Sequence, residues 1–389
     1  MMSEPLVAPN GGLYVHIPFC VHKCAYCDFY SVSDLNLKPV FLKALSAEIA
    51  AAEAGPLAFD TIYFGGGTPS ILDPVEIAGI IDQLNSGFRL VGPVEVTLEA
   101  NPGTVDPDRL KGFRSAGVTR LNLGVQSFRE ENLRLLGRIH SAGQAHDAVA
   151  AARRAGFEDV GLDLIYGLPG QTMAAWTMDI ESALAYDPEH LACYMLSVEP
   201  GTPLAEDERL GRFRPAPEED TAALFLATSE RLAGAGYRHY EISNFARGAA
   251  GGGDARISRH NSKYWVYAPY LGFGPAAHSF RPPRRLWNHR DVRRYIADLQ
   301  AGRRPPGGEE TLSVGQQMLE VLMLGLRTSA GIGLADFQAR FGRDFRDLYG
   351  AAADELAARG LLTLDGGRCA PTRQGMLFLN TVVAALTGR

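Results

Sequence analysis

Residues 13–31 read LYVHIPFCVHKCAYCDFYS: a short apolar run of strand character, then three cysteines, Cys20, Cys24 and Cys27, spaced C-x3-C-x2-C. Thiolates are soft ligands that select iron–sulfur clusters, zinc or copper(I). A cubane of four irons needs four ligands, and this loop offers three. The fourth iron is left for an outside ligand, a place that the amino and carboxylate groups of S-adenosylmethionine (SAM) can take. A structural zinc site would need His16 or His22 as its fourth ligand, but zinc ligands usually come as two separated pairs. The triplet therefore reads as a 4Fe-4S site, with Cys20, Cys24 and Cys27 as its metal ligands.

Outward from this loop, short apolar runs alternate with helical patterns up to about residue 196. Strands are expected at 13–17, 61–64, 94–98, 120–125, 159–166 and 190–196, and amphipathic helices at 40–54 and 143–156. Strand, helix, strand at a repeat of ~30 residues predicts βα units and a parallel sheet. Polar motifs follow five consecutive strand ends: the cysteines, then GGGTPS, LEANP, QSF and GLPGQ. Barrel enzymes gather their sites at the C-terminal ends of the strands, whereas open sheets bind at one switch point. The expected fold is therefore α/β, a partial (β/α)6 barrel spanning 1–245.

Beyond the barrel a helix is expected at 219–235, with GAAGGGDA (248–255) as a flexible linker. An aromatic segment follows, and RPPRR and GRRPPGGEE read as exposed connectors within 246–310. From residue 311, three helices and the hairpin LLTLDGGRCAPT predict a small α+β winged-helix-like domain running to 389. Cys193 and Cys369 lie far from the triplet and read as buried small hydrophobes. Five cysteines, an odd number, argue against a disulfide framework. The first ten residues lack a secretory pattern, and no apolar run approaches the ~20 residues a membrane span needs. The chain reads as cytoplasmic, without an integral membrane segment. A net charge of −6 gives no general pull toward nucleic acid.

The cysteine stretch as a whole resembles the signature of the radical SAM HemN/HemW family, the anaerobic coproporphyrinogen dehydrogenases and the related heme chaperones. The resemblance runs over nearly the whole chain. It implies a SAM-ligated 4Fe-4S cluster and a reductant for it. It also implies SAM contacts at Tyr14, at Gly66, Gly67 and Thr68 of the glycine run, and at Glu99, Gln126, Arg138 and Asp163. Arg138 has the chemistry to pair with a carboxylate, and Gln126 or Asp163 to hold ribose hydroxyls.

Two features separate the branches of the family. The dehydrogenases resemble C-x3-C-x2-C-x-C, and here Phe29 stands at the last position. His260-Asn261-Ser262-Lys263-Tyr264-Trp265 is similar to the HNxxYW motif linked to heme binding in the chaperones. Imidazole is a common axial ligand of heme iron, so His260 is the expected ligand, favoured over His278. The reading is a heme chaperone delivering heme to respiratory heme proteins. The alternative is SAM-dependent oxidative decarboxylation of coproporphyrinogen III to protoporphyrinogen IX. A nucleic-acid role for the C-terminal domain is disfavoured, because the helix FRDLYGAAADELAARG is acidic.

Overall fold

A computed structural model describes residues 10–248 and 256–388. Six strands, β1 (Gly11–Ile17), β2 (Phe59–Gly66), β3 (Leu90–Ala100), β4 (Arg120–Gln126), β5 (Val160–Tyr166) and β6 (His190–Met195), run parallel in chain order. Each predicted strand is present and each connection carries a helix. Successive side chains on a strand face opposite ways. Leu13, Val15 and Ile17 of β1, with Ile62, Phe64, Leu98, Leu121, Leu123 and Leu162, form one buried cluster with Phe41, Leu45, Ile77, Leu84 and Trp176 of the helices. The alternate positions carry Tyr14, His16, Thr61, Tyr63, Glu95, Glu99, Arg120, Asn122 and Asp163, which turn to the barrel interior. A polar interior is the chemical precondition for a site there.

The helices start where the sequence supplies acceptors for their free N–H groups. Asp73 with Glu76, and Ser141 with Gln144, form reciprocal capping boxes at the starts of Pro74–Gly87 and Ala142–Arg154.

The segment 246–310 differs from expectation. It contributes β9 (Tyr270–Phe273), β10 (His278–Arg281), β11 (Arg284–Asn288) and β12 (Pro306–Thr311), after the hairpin β7 (Tyr237–Glu241) and β8 (Asn244–Arg247). Among the described residues these extend the barrel into a 12-stranded sheet, ordered β12-β11-β10-β9-β1-β2-β3-β4-β5-β6-β8-β7. RPPRR thus spans the turn joining β10 to β11, and PGGEE lies in the edge strand β12. Proline is tolerated at a strand start or a turn, where no ladder hydrogen bond is lost. Residues 249–255, the core of the expected linker, lie outside the described residues.

The C-terminal part has its own apolar cluster, including Leu322, Phe337, Phe345, Leu356, Leu362, Cys369 and Val382. Three helices, Val314–Gly325, Leu334–Phe341 and Phe345–Ala358, precede the expected hairpin, β14 (Leu362–Asp365) and β15 (Arg368–Pro371). Gly366 and Gly367 at its turn have φ of 57° and 74°, the pair a tight hairpin turn requires. A two-residue strand, β13 (Ile332–Gly333), completes a three-stranded sheet, and two further helices end the chain. Cys193 and Cys369 are 3% and 0% exposed. No helix among the described residues is long and apolar enough to cross a membrane.

Candidate cluster and cofactor site

The loop after β1 is tied shut at its base. Val32 N–H donates to the Pro18 carbonyl at 2.7 Å and Cys20 N–H to the Val32 carbonyl at 3.0 Å. The intervening residues are thereby held at the mouth of the barrel. Cys20 and Cys24 are buried, each 8% exposed, and Cys27 is half-buried. Burial pushes the Cys27 thiol above its usual range, with its two neighbouring thiols adding to the effect. Among the described residues no three His, Cys, Asp or Glu side chains converge on a single ion. His16, one candidate fourth ligand, is already engaged: its ring shares hydrogen bonds with the Tyr14 hydroxyl at 3.1 Å and the Tyr30 carbonyl at 2.9 Å.

Two side chains from neighbouring loops reach the buried thiols. Thr68 Oγ1 lies 3.5 Å from Cys20 Sγ. Arg138 Nη1 lies 3.4 Å from Cys24 Sγ and 3.5 Å from the Tyr26 hydroxyl, while its Nη2 donates to the Gly124 carbonyl at 2.8 Å. Arg138 Nε is buried without a partner.

The glycine run brings β2 against this loop. Gly67 N–H donates to Ile17 O at 2.8 Å and Thr68 N–H to Phe19 O at 2.7 Å. A Cβ at Gly67 would stand 2.6 Å from Phe19 O. Gly66 has φ of 112°, and a Cβ there would stand 2.6 Å from His16 Cε1. Gly67 is required by the close approach of two backbones, and Gly66 by its positive φ and the His16 ring packed against it.

Beside the loop opens a cavity of about 510 Å³, within the range of small-molecule cofactor sites. Gly66, Gly67, Thr68, Glu99, Gln126, Arg138 and Asp163, all predicted, line it together with Cys27. Tyr14, also expected at the site, is not among the residues lining this cavity. Its ring lies against Tyr63, centroids 6.1 Å apart, with its hydroxyl on His16.

Glu99 and Asp163 give the cavity its chemistry. Burial raises the Glu99 carboxyl to about 7, although Tyr63 donates to it at 2.6 Å. Burial, and then the charge of Glu99, raises Asp163 to about 7. Two desolvated carboxyls sharing one cavity favour a cation between them. Gln126 follows a bulge in β4 with φ of 67°, a strained position for a residue with a side chain.

The sequence reading missed Asn122, Tyr26 and Tyr194, all in the same wall. Asn122 Oδ1 is buried and unpartnered. The signal was available: Arg120, Asn122 and Gln126 alternate with Leu121, Leu123 and Val125, a polar face on an apolar strand.

His260 is placed elsewhere. It lies on the helix Arg259–Trp265, 1% exposed, on the interior side of β1 and β2. Its Nδ1 pairs with Thr61 Oγ1 at 2.9 Å and its Nε2 with the Tyr264 hydroxyl at 2.9 Å. Burial first, then Lys263, lowers it to about 3, so it is a neutral imidazole with both nitrogens engaged. In this arrangement Thr61 and Tyr264 engage both ring nitrogens of the histidine expected to hold heme iron. The rest of the motif packs as well: Tyr264 sits edge-on to Tyr270 at 4.8 Å, and the Arg327 guanidinium lies 4.7 Å over the Trp265 ring. Arg327 also donates to the fully buried Glu241 at 2.9 Å, so the motif helix docks the C-terminal part on the barrel.

Comparison with known proteins agrees with this architecture. The profile of the Radical SAM superfamily matches residues 14–183, and that of the HemN C-terminal domain matches 312–378. The chain is 34% identical to Heme chaperone HemW of Bacillus subtilis, over 96% of this chain and 98% of that protein. It is 36% identical to Heme chaperone HemW of Mycobacterium tuberculosis, over 99% and 96%. The solved structure of coproporphyrinogen III oxidase (HemN) from Escherichia coli, described as a radical SAM enzyme, superposes with a TM-score of 0.82. That match covers 98% of this chain and 90% of that one at 22% identity, a likeness of fold.

Proposed function

The chain belongs to the radical SAM HemN/HemW family, and from that premise we propose that it is a heme chaperone acting in the cytoplasm. Cys20, Cys24 and Cys27 hold a 4Fe-4S cluster, SAM occupies the adjoining cavity, and heme is bound and passed to acceptor proteins, respiratory heme proteins among them. The observation that carries this reading is full-length similarity to two proteins named as heme chaperones, joined to a cavity whose walls suit a cationic cofactor.

The residues present fit the cofactors. Three thiols stand on one closed loop, and the cavity beside them is walled by two desolvated carboxyls, Glu99 and Asp163, with Arg138 in the same wall. When bound, a SAM-ligated cluster supplies an electron able to break a carbon–sulfur bond of the sulfonium. The protein groups orient and exclude. Glu99 and Asp163 offer negative charge to an ammonium or sulfonium, and the unpartnered Nε of Arg138 offers a donor to a carboxylate. Gln126 and Asn122 present polar groups suited to hydroxyls. The roles of the three segments follow: 1–245 for cluster and SAM, 246–310 for heme, and 311–389 as a winged-helix-like C-terminal domain.

Decarboxylation of coproporphyrinogen III is the second reading, favoured only by the shared fold. Against it stands Phe29, 70% exposed at the cavity rim, where the dehydrogenases resemble one another in carrying a cysteine. Supplying hemin and coproporphyrinogen III separately to anaerobically reconstituted protein with SAM and dithionite separates the two. A shifted Soret band with no protoporphyrinogen IX supports the chaperone. Sustained turnover of coproporphyrinogen III would reverse the assignment.

A further inference from the structure

Imidazole is a common axial ligand of heme iron, and the HNxxYW histidine has both ring nitrogens hydrogen-bonded to protein groups. The chain has nine histidines. Eight of them lie in the interior, are hydrogen-bonded or ion-paired, or, in the case of His22, stand exposed on the cluster loop with no aromatic partner among the described residues. The ninth is His278 on β10. It is exposed, and neither ring nitrogen has a hydrogen-bond partner among the described residues.

What holds His278 is an aromatic platform. Its ring stacks on Trp287 of β11 with centroids 5.7 Å apart and planes 24° from parallel. The indole in turn lies flat on β12, where a Cβ at Gly308 would stand 2.4 Å from Trp287 Cζ2. Gly307 and Gly308 are therefore the reason the indole can lie there, and the indole fixes the plane of the imidazole while leaving its nitrogens free. His278 shares its strand face with Phe280, and Phe280 is followed inward by Tyr270 and Tyr264 of the motif helix. The motif thus forms part of the floor beneath this face.

The same rim carries charge and apolar surface. Arg290 lies near enough to His278 to act on it electrostatically, and it donates to the Asp28 carbonyl of the cluster loop at 3.0 Å. Its ion pair with Asp28 is loose, 3.7 Å, and its side chain is 62% exposed, so it is available to a carboxylate. Next to Asp28 stands the exposed Phe29. A free imidazole, an exposed arginine and an exposed aromatic side chain match the three demands of heme: an iron, propionates and a flat apolar body.

We propose that His278, set on the Trp287 platform, is the axial ligand through which this protein holds heme iron, with Arg290 meeting a propionate. This rests on the heme-chaperone reading and names the part of the surface that would serve it. The step is coordination alone: the lone pair of a neutral ring nitrogen enters the iron, and no electron changes hands. His260 is a positioning residue in the floor.

Hemin titration of the reconstituted full chain, followed by absorbance and low-temperature EPR, provides the test. The wild type is expected to shift the Soret band and show a histidine-ligated signal. His278→Ala is expected to lose that signal and weaken hemin binding by roughly tenfold or more, with free imidazole restoring the signal. His278 is exposed, so an unchanged melting temperature should accompany the loss. Wild type that binds hemin, alongside a His278→Ala variant with the same affinity and spectrum, overturns the ligand assignment and leaves the chaperone reading standing. Wild type that binds no hemin overturns both.

Discussion

Cys24→Ala is expected to abolish the cluster and, with it, tight SAM binding. The loop supplies three thiolates and no fourth, so removing one leaves two irons without a protein ligand. Arg138, now 3.4 Å from that sulfur, would then face a methyl group. Anaerobic reconstitution should give near-complete loss of bound iron and sulfide relative to wild type. The fold should survive, because the loop is tied at Pro18 and Val32 rather than through the thiols. Cys193→Ala and Cys369→Ala are the controls: both thiols are buried in apolar clusters, and their loss should leave the iron content unchanged. Wild-type iron in Cys24→Ala would remove that residue from the ligand set.

The second large effect concerns Glu99. In the free protein both cavity carboxyls ionise near 7, and they titrate as an interacting pair. A cationic ligand favours the carboxylate forms, so SAM affinity should be highest above pH 7 and fall as the pH drops through it. Glu99→Gln deletes one charge. The lost charge-assisted hydrogen bond is worth about 1.5–3 kcal/mol, roughly 10- to 150-fold in affinity. It also removes a repulsive neighbour of Asp163, so the remaining inflection should move below 7. Calorimetric titration from pH 5.5 to 8.5 measures both effects; a pH-independent affinity in wild type would show that these carboxyls do not face the cofactor. Stability runs the opposite way. A carboxyl whose folded pKa is raised stabilises the fold below its unfolded value near 4.5, and that contribution is lost as pH rises through about 7. Without ligand the protein should therefore melt lower at pH 8 than at pH 6, as far as this pair decides it, and SAM should narrow the gap.

The six parallel strands were legible because each is a short apolar run, and helix-covered strands need little else to declare themselves. The cysteine loop was legible from spacing alone. The later strands were not. β11 and the edge strand β12 are rich in arginine, glutamate, proline and glycine, residues that read as turns and connectors in sequence. Only the register of β1 against β9, Gly12 opposite Tyr270, draws this segment into the barrel sheet.

His260 shows a different limit. Its motif is plain in sequence, but that both ring nitrogens are satisfied by Thr61 and Tyr264 depends on a contact 199 residues away. The surroundings of Tyr14 are likewise set by residues distant in sequence. It shares the interior face of the barrel, where its ring lies against Tyr63 and its hydroxyl meets His16. Asn122 was missed because an isolated asparagine in an apolar strand draws no notice until its alternation with Arg120 and Gln126 is counted.

The most direct measurement is EPR and Mössbauer spectroscopy of the reconstituted, wild-type protein before and after SAM is added. The expected result is a 4Fe-4S centre in which SAM perturbs one iron and leaves the other three unchanged. A centre indifferent to SAM, or a single zinc bound by the same three cysteines, would contradict the assignment on which the proposed function rests.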